Sequence, residues 1–119
     1  MQELRYAILF HDGIAQPHYD LLFEIESGSA LAAWRSPVWP IAAPTVIERL
    51  PDHRREYLDY EGPISGGRGH VRRVAGGQCA IERSAQDPAR WTISGVAPAM
   101  RLILEQSAGR WVARTAPGG

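Results

Sequence analysis

Cysteine, lysine and long apolar runs are scarce or missing in this sequence. The single cysteine, Cys79, cannot form a disulfide within the chain, which is typical of proteins from a reducing compartment. Glu3 and Arg5 interrupt the stretch in which a secretory signal would be apolar. No apolar run approaches the roughly 20 residues that a membrane helix needs. We therefore expect a cytoplasmic protein with no membrane partner, in which Cys79 is an inert part of the core.

Charges of one sign are not in excess either. The chain has 13 basic and 13 acidic residues and a formal net charge of zero. A protein that coats nucleic acid through bulk electrostatics usually has a basic excess, so the sequence does not predict one. An enzyme that binds one or two phosphates at the end of a strand stays compatible with this balance. All 13 basic residues are arginine, which suits bidentate phosphate binding, although a biased genome composition would give the same count.

Apolar residues recur at every second position along most of the chain, which is the pattern of β-strands. Turn signals at Gly76-Gly77, Asp87-Pro88, Pro98 and Gly109 separate several of the runs. The predicted strands cover residues 4–10, 19–25, 30–34, 45–50, 70–74, 78–84, 90–95, 100–106 and 110–114. We predict an all-β fold, a compact single-domain antiparallel β-barrel of about eight strands. Closure into a barrel leaves no exposed strand edge.

Two stretches lie outside this pattern. Residues 51–69 show no clear period and contain several Gly and Pro, so we predict a long structured loop, a kind of segment that is often functional. Within it, residues 52–57 are predicted to form a helix of one or two turns. The barrel domain is predicted to span residues 1–114, and the Gly- and Pro-containing residues 115–119 are predicted to be a short flexible tail.

His11, His18 and Asp20 are the predicted metal ligands. Residues of one parity share a face of a strand, so His18 and Asp20 lie opposite the apolar set that begins at Tyr19. The loop after Asp12 folds back beside His11, and all three side chains can meet at the mouth of the barrel. Two imidazoles and one carboxylate suit Mn²⁺, Fe²⁺ or Zn²⁺ and leave positions open for water and substrate. The alternative is a solvated surface strand, and Asp12 is expected to shape its turn.

A second group of polar residues lies in the predicted loop. His53 and Tyr57 could reach over the metal to bind a phosphate oxygen or to donate a proton. From their spacing alone, a surface histidine in a turn is the simpler interpretation. The Gly-rich stretch around Arg68 could present backbone N–H groups to an anion, or it could be a tight turn into a strand. Arg49 and Arg68 are the candidate phosphate-binding residues.

The motifs also occur in a distinctive order. The chain contains His11-Asp12, His18-Tyr19-Asp20, Asp52-His53, Tyr57 four residues later, and Tyr60-Glu61-Gly62 before the Gly-rich stretch. This order resembles the 3′-phosphoesterase domain of bacterial DNA ligase D, which carries His-Asp, His-Tyr-Asp, Asp-His with a Tyr four residues on, and Phe-Glu-Gly before a Gly-rich loop. The resemblance covers residues 4–74, somewhat over half of the chain.

The resemblance implies a compact β-barrel and a Mn²⁺-dependent enzyme of DNA repair. Such enzymes remove a terminal ribonucleoside and then the 3′-phosphate, and the hydroxyl that they leave can be used by a DNA ligase or polymerase of end joining. The implied partners are therefore a nucleic-acid 3′ end and one of those enzymes. His11, His18 and Asp20 would bind the metal. His53 would contact the phosphate opposite the metal, and Tyr57 would help to position it.

The sequence departs from the family beside the expected site. The family's phosphate-binding arginine, two residues after the metal aspartate, is Leu22 here, and the glutamine two residues before the first metal histidine is Leu9. Losing one charged contact to a transition state costs about two to three powers of ten in rate. A metal-binding module that has lost catalysis and binds nucleic-acid ends or a repair partner is therefore the alternative function. A third hypothesis is a non-haem Fe²⁺ oxygenase with His18, Asp20 and His70 as ligands.

Overall fold

A computed structural model describes residues 3–86, 88–96 and 100–117 of the chain. These residues form nine β-strands and one 3₁₀ turn, Arg55–Leu58. In chain order the strands are β1 (Leu4–Asp12), β2 (His18–Glu24), β3 (Leu31–Ser36), β4 (Thr45–His53), β5 (Gly62–Pro63), β6 (His70–Ser84), β7 (Ala89–Ser94), β8 (Met100–Ser107) and β9 (Arg110–Pro117). The prediction of an all-β fold is confirmed. Within the described ranges, no helix has the length and apolar character needed to span a membrane.

The nine described strands form one antiparallel sheet in the order β1-β2-β3-β4-β9-β8-β7-β6-β5. Because β1 also pairs with β6, eight of these strands close into a ring, and β5 lies beside β6. The ring is barrel-like, in agreement with the predicted architecture. Closure pairs both edges of β1, once with β2 and once with β6. No edge of β1 is left to recruit another chain.

Strand β6 differs most from the prediction. The sequence predicts two strands separated by a turn at Gly76-Gly77, whereas one strand of 15 residues runs through both glycines. Its first part pairs with β1 and its last part with β7. A strand that changes partner in this way has to bend, and glycine tolerates the bend because it has no Cβ. Gly77 has a φ of 148°, and the register against β1 shifts between Ile8 and Leu9.

Three other boundaries also differ. Strand β4 continues to His53, so the predicted loop 51–69 begins as a strand, and the predicted helix 52–57 is the shorter 3₁₀ turn. Strand β9 continues to Pro117, whereas the sequence predicts a flexible tail from Thr115. Thr115 pairs with Leu102 of β8, so the ladder with β8 overrides the local Gly and Pro content. The predicted turn residues Asp87 and Pro98 and residues 118–119 lie outside the described ranges.

Two hydrophobic cores lie on opposite faces of β1, β2 and β3. The larger core fills the ring and includes the fully buried Phe23 and Trp34. The second core lies on the outer face, where Leu22 packs with Leu58 of the 3₁₀ turn. Successive side chains of a strand point to opposite faces, so Asp20 shares the outer face with Leu22. The predicted metal ligands therefore lie on the outer face of the ring and not at its mouth.

Candidate metal centre

The two histidines and the aspartate that the sequence predicts as ligands lie close together. His11 and His18 are directly opposite each other in the β1–β2 pair, and their ring centroids are 5.0 Å apart. Asp20 follows His18 on the same face of β2. One ligand atom from each of the three side chains lies within 4.8 Å of the others. His18 and Asp20 are buried, and His11 is half-buried. The three side chains can therefore contact one ion.

Backbone carbonyl groups orient both imidazoles towards Asp20. Nε2 of His11 lies 2.7 Å from the carbonyl oxygen of Arg68, and Nδ1 of His18 lies 3.0 Å from that of Gln16. A carbonyl oxygen only accepts hydrogen bonds, so these two nitrogens carry the protons of the neutral rings. The unprotonated nitrogens, Nδ1 of His11 and Nε2 of His18, lie 3.8 and 3.2 Å from oxygens of Asp20. Carbonyl partners of this kind fix the tautomer of metal-binding histidines.

The arrangement fits a divalent cation. Nε2 of His18 is buried and has no hydrogen-bond partner among the described residues, although Oδ1 of Asp20 is 3.2 Å away. Buried polar atoms are rarely left in this state, and a cation between the ring and the carboxylate would satisfy both groups. Two imidazole nitrogens and one carboxylate oxygen suit Mn²⁺, Fe²⁺ or Zn²⁺.

A cleft of about 400 Å³ opens over these three side chains. The other polar side chains in its walls are those of Arg35, Asp52, His53, Arg54, Tyr57 and Arg68. The structure thus brings His53, Tyr57 and Arg68 together with the predicted ligands, but it does not bring Arg49 there. His70 is exposed and does not line the cleft. The oxygenase hypothesis, which needs His70 as a ligand, therefore has no geometric support.

His53 and Tyr57 lie side by side in the wall of the cleft. His53 is the last residue of β4, and Tyr57 lies in the 3₁₀ turn, with 5.9 Å between the two ring centroids. Nδ1 of His53 is 3.0 Å from the carbonyl oxygen of Pro51, so it is a donor and Nε2 stays available for another group. Spacing alone favours an exposed turn for His53, but the side chain is only partly exposed and lines the cleft.

The buried carboxylate of Glu24 holds the 3₁₀ turn that carries Tyr57 against β2. Glu24 is 3% exposed and accepts hydrogen bonds from the guanidinium of Arg55 and from the backbone N–H groups of Arg5 and Gly28. Burial raises the pKa of Glu24, but the hydrogen bonds outweigh burial and the pKa lies below its ordinary value. The guanidinium of Arg5 also donates to Asp59, at 2.7 Å. Arg55 and Asp59 flank Tyr57, so both ion pairs fix the position of the 3₁₀ turn.

The two predicted phosphate-binding arginines occupy different places. Arg49 lies opposite Trp34 in the β3–β4 pair, and its guanidinium carbon is 4.6 Å from the centroid of the Trp34 ring. Its guanidinium donates to two backbone carbonyl groups, and the side chain is on the face of the sheet away from the cleft. Arg68 does line the cleft, but its Nε donates to the carbonyl oxygen of Ser65 at 2.7 Å.

Two further arginines line the cleft, and the sequence patterns predict neither of them as a site residue. Arg35 lies directly opposite Asp20 in the β2–β3 pair, and Arg54 follows His53. The hairpin formed by β2 and β3 could have identified Arg35 from the sequence. Residues at equal distances before and after a hairpin turn pair with each other, and Arg35 is as far after this turn as Asp20 is before it. Leu9 and Leu22, which replace polar residues of the resembling family, are fully buried in the second core. Leu9 lines the cleft with an apolar side chain.

Compared with known proteins, the chain matches no family model and no curated protein. The resemblance to the phosphoesterase domain of DNA ligase D therefore depends on the order of the His, Asp and Tyr motifs in the sequence itself.

Proposed function

We propose that this chain is a metal-dependent phosphoesterase that processes the 3′ ends of nucleic acid in DNA repair. Mn²⁺ is the proposed cofactor, with Zn²⁺ as the alternative metal. One observation carries the proposal: His11, His18 and Asp20 line the same cleft as His53 and Tyr57. The first three side chains would hold the cation, and the other two would contact a phosphate beside it.

The reaction is hydrolysis of a phosphate ester at the 3′ end. A divalent ion, when bound, supplies a positive charge that stabilises the charge developing on the phosphate oxygens. Nδ1 of His53 donates a hydrogen bond to the carbonyl oxygen of Pro51, and the imidazolium form can donate from Nε2 to a phosphate oxygen or to the leaving oxygen. The hydroxyl of Tyr57 is a second donor. On an end with a terminal ribonucleoside, water adds to phosphorus and the bond to the 5′ oxygen of that nucleoside breaks, so a 3′-phosphate is left. On the 3′-phosphate, water adds to phosphorus, the bond to the 3′ oxygen breaks, and a 3′ hydroxyl is left.

The proposed partners follow from this product. A DNA ligase or polymerase of end joining requires a 3′ hydroxyl, so such an enzyme would act directly after this one. The formal net charge of zero fits an enzyme that binds the end of a strand and does not coat its length.

The proposal is tested with primers that end in a 3′-phosphate or in a single ribonucleotide. With the folded protein and Mn²⁺, we expect dephosphorylation of the first primer and shortening of the second, both abolished by EDTA. His53→Ala should lower the rate by about 10²- to 10⁴-fold if the ring is a proton donor. A wild-type protein that binds Mn²⁺ but changes neither primer would refute the proposed activity.

The alternative function is a module that binds nucleic-acid ends or a repair partner without turnover. The observation that favours it is Leu22, which is fully buried where the resembling family has a charged phosphate contact. It predicts Mn²⁺ binding and retention of a 3′-phosphorylated primer in electrophoretic mobility assays, with no release of phosphate. Release of phosphate in the primer assay would exclude it.

A further inference from the structure

We infer that Arg35 is the residue that binds the substrate's phosphate group in the cleft, a role for which the sequence patterns indicate only Arg49 and Arg68. The inference rests on the proposed function and adds a substrate contact to it. It concerns a side chain that approaches the site from β3, whereas the arginine of the resembling family would stand at Leu22 on β2.

The register of the sheet puts Arg35 beside the metal ligands. Asp20 and Arg35 are directly opposite each other in the β2–β3 pair, and side chains of such a pair share one face with Cβ atoms about 4.5–5.5 Å apart. The alternation along β3 agrees, because Ala33 is buried in the second core on that same face. Arg35 is exposed and lines the cleft. A phosphate at the metal ligands would therefore lie within reach of its guanidinium.

The guanidinium of Arg35 is also uncommitted. Among the described residues it has no hydrogen-bond or ion-pair partner, even though Glu48 is its opposite neighbour on β4. Of the arginines considered above, Arg49 is held by Trp34 and two carbonyl groups and Arg68 by Ser65. Arg54 makes only an exposed ion pair of 4.0 Å with Glu56. A guanidinium offers two parallel donors to a phosphate. Arg35 can use both without breaking an existing contact.

The position of Arg35 also suits a phosphate with nucleosides on both sides. Together with His18 it lines the cleft and a second groove of about 470 Å³, whose other walls include Pro17, Pro37 and Val46. A phosphate held at Arg35 would therefore lie where the two spaces meet. We expect Arg35 to contribute to binding of a 3′-phosphate end and of an end with a terminal ribonucleoside, because each places a phosphate at this junction.

The test compares binding of fluorescent oligonucleotides that end in a 3′-phosphate or a 3′ hydroxyl, measured by fluorescence anisotropy. Ca²⁺ replaces Mn²⁺ to limit turnover, and electrophoresis checks that the ends stay intact. Arg35→Gln should weaken binding of the 3′-phosphate end by about ten- to hundredfold, as expected for losing a hydrogen bond to a charged group. Arg35→Lys keeps the positive charge but not the two parallel donors of the guanidinium, so it should weaken binding of the 3′-phosphate end less than Arg35→Gln does. Arg101→Gln, the same change at an exposed position on β8 outside the cleft, should bind as the wild type does.

The outcomes separate this inference from the proposed function. Equal affinities of Arg35→Gln and Arg101→Gln for the 3′-phosphate end would overturn the role of Arg35 while the primer assay could still succeed. A wild-type protein without preference for the 3′-phosphate end and without primer activity would overturn both. Mn²⁺ affinity is measured for each variant by calorimetry, and we expect Arg35→Gln to retain it. Loss of Mn²⁺ binding in Arg35→Gln would instead assign Arg35 a structural role and overturn the inference.

Discussion

The carboxylate of Glu24 accepts a hydrogen bond from the guanidinium of Arg55, 31 positions further along the chain. Glu24 is the last residue of β2, and Arg55 is the first residue of the 3₁₀ turn. The pair therefore fastens the segment that carries His53 and Tyr57 to the strand that carries two of the predicted metal ligands. It is buried at the carboxylate and partly exposed at the guanidinium, with 4% and 37% side-chain exposure.

Arg55→Ala should destabilise the fold. The substitution leaves the buried carboxylate of Glu24 with only its two backbone donors, and we expect a loss of about 2–3 kcal/mol in the free energy of unfolding. Urea denaturation followed by tryptophan fluorescence measures the change. Arg54→Ala is the matched control, because Arg54 is the adjacent arginine but is exposed and makes only a 4.0 Å ion pair. Equal unfolding midpoints for both variants would contradict the fastening role of Arg55.

The contribution of Glu24 should depend on pH. Its pKa in the folded protein lies below the ordinary value of 4.5, because hydrogen bonds to the charged form outweigh burial. The stabilisation is therefore complete above about pH 4.5 and is lost as the pH falls through the lower folded pKa. Urea unfolding of the wild type and of Glu24→Gln should show a difference in stability at pH 6 that shrinks at pH 3. A difference in stability that grows as the pH falls would show that the pKa of Glu24 is not lowered in the folded protein.

Leu22→Arg should not restore the family's phosphate contact. Leu22 is fully buried in the second core, so the substitution overpacks that core and buries a charge, which costs at least about 3 kcal/mol. Thermal unfolding followed by circular dichroism measures the loss. Leu22→Met conserves volume and polarity, and we expect it to cost less than about 1.5 kcal/mol. A Leu22→Arg protein with wild-type stability and a faster primer reaction would contradict this view of the site.

Asp20→Asn should abolish tight Mn²⁺ binding, whereas Asp52→Asn should leave the affinity for Mn²⁺ unchanged. The substitution removes the one charged ligand and should weaken Mn²⁺ binding by at least about 100-fold. Even the loss of a residue that only hydrogen-bonds to a metal ligand lowers metal affinity by about 10- to 100-fold. Isothermal titration calorimetry measures the affinity. At 100 times the dissociation constant, Mn²⁺ should also stabilise the wild type by about 2.7 kcal/mol, and EDTA should remove that gain. Asp52→Asn is the control, because Asp52 lines the cleft outside the ligand cluster.

Cys79 should be unreactive in the folded protein. The side chain is 5% exposed, and burial, together with the negative charge of Glu24, raises the pKa of the thiol to about 12. The thiolate is the reactive form, so its population at pH 8 is very small. We expect no reaction with an aromatic disulfide reagent in the native state and one reactive thiol per chain in urea. Rapid native-state labelling would show that this part of the core opens readily.

The alternation of apolar residues was sufficient to predict most of the strands, because a strand that buries one face must repeat every second residue. It also placed His18 and Asp20 on one face, and the short β1–β2 connection then brought His11 to the same point. The prediction failed at Gly76-Gly77, where glycine serves a bend within one strand and not a turn between two. Local sequence cannot distinguish these cases, since the distinction depends on which strands lie alongside.

What the sequence determined by itself was the all-β architecture and the convergence of His11, His18 and Asp20, since both follow from periodicity within short segments. The tertiary structure alone decided which arginines line the cleft beside these three residues. Arg35 reaches the cleft through the β2–β3 register, and Arg49 is turned away because it pairs with Trp34. It also decided that the site lies under the segment of His53 and Tyr57, on the outer face. The physical reason is that register and closure depend on contacts between residues far apart in the chain, which no local pattern encodes.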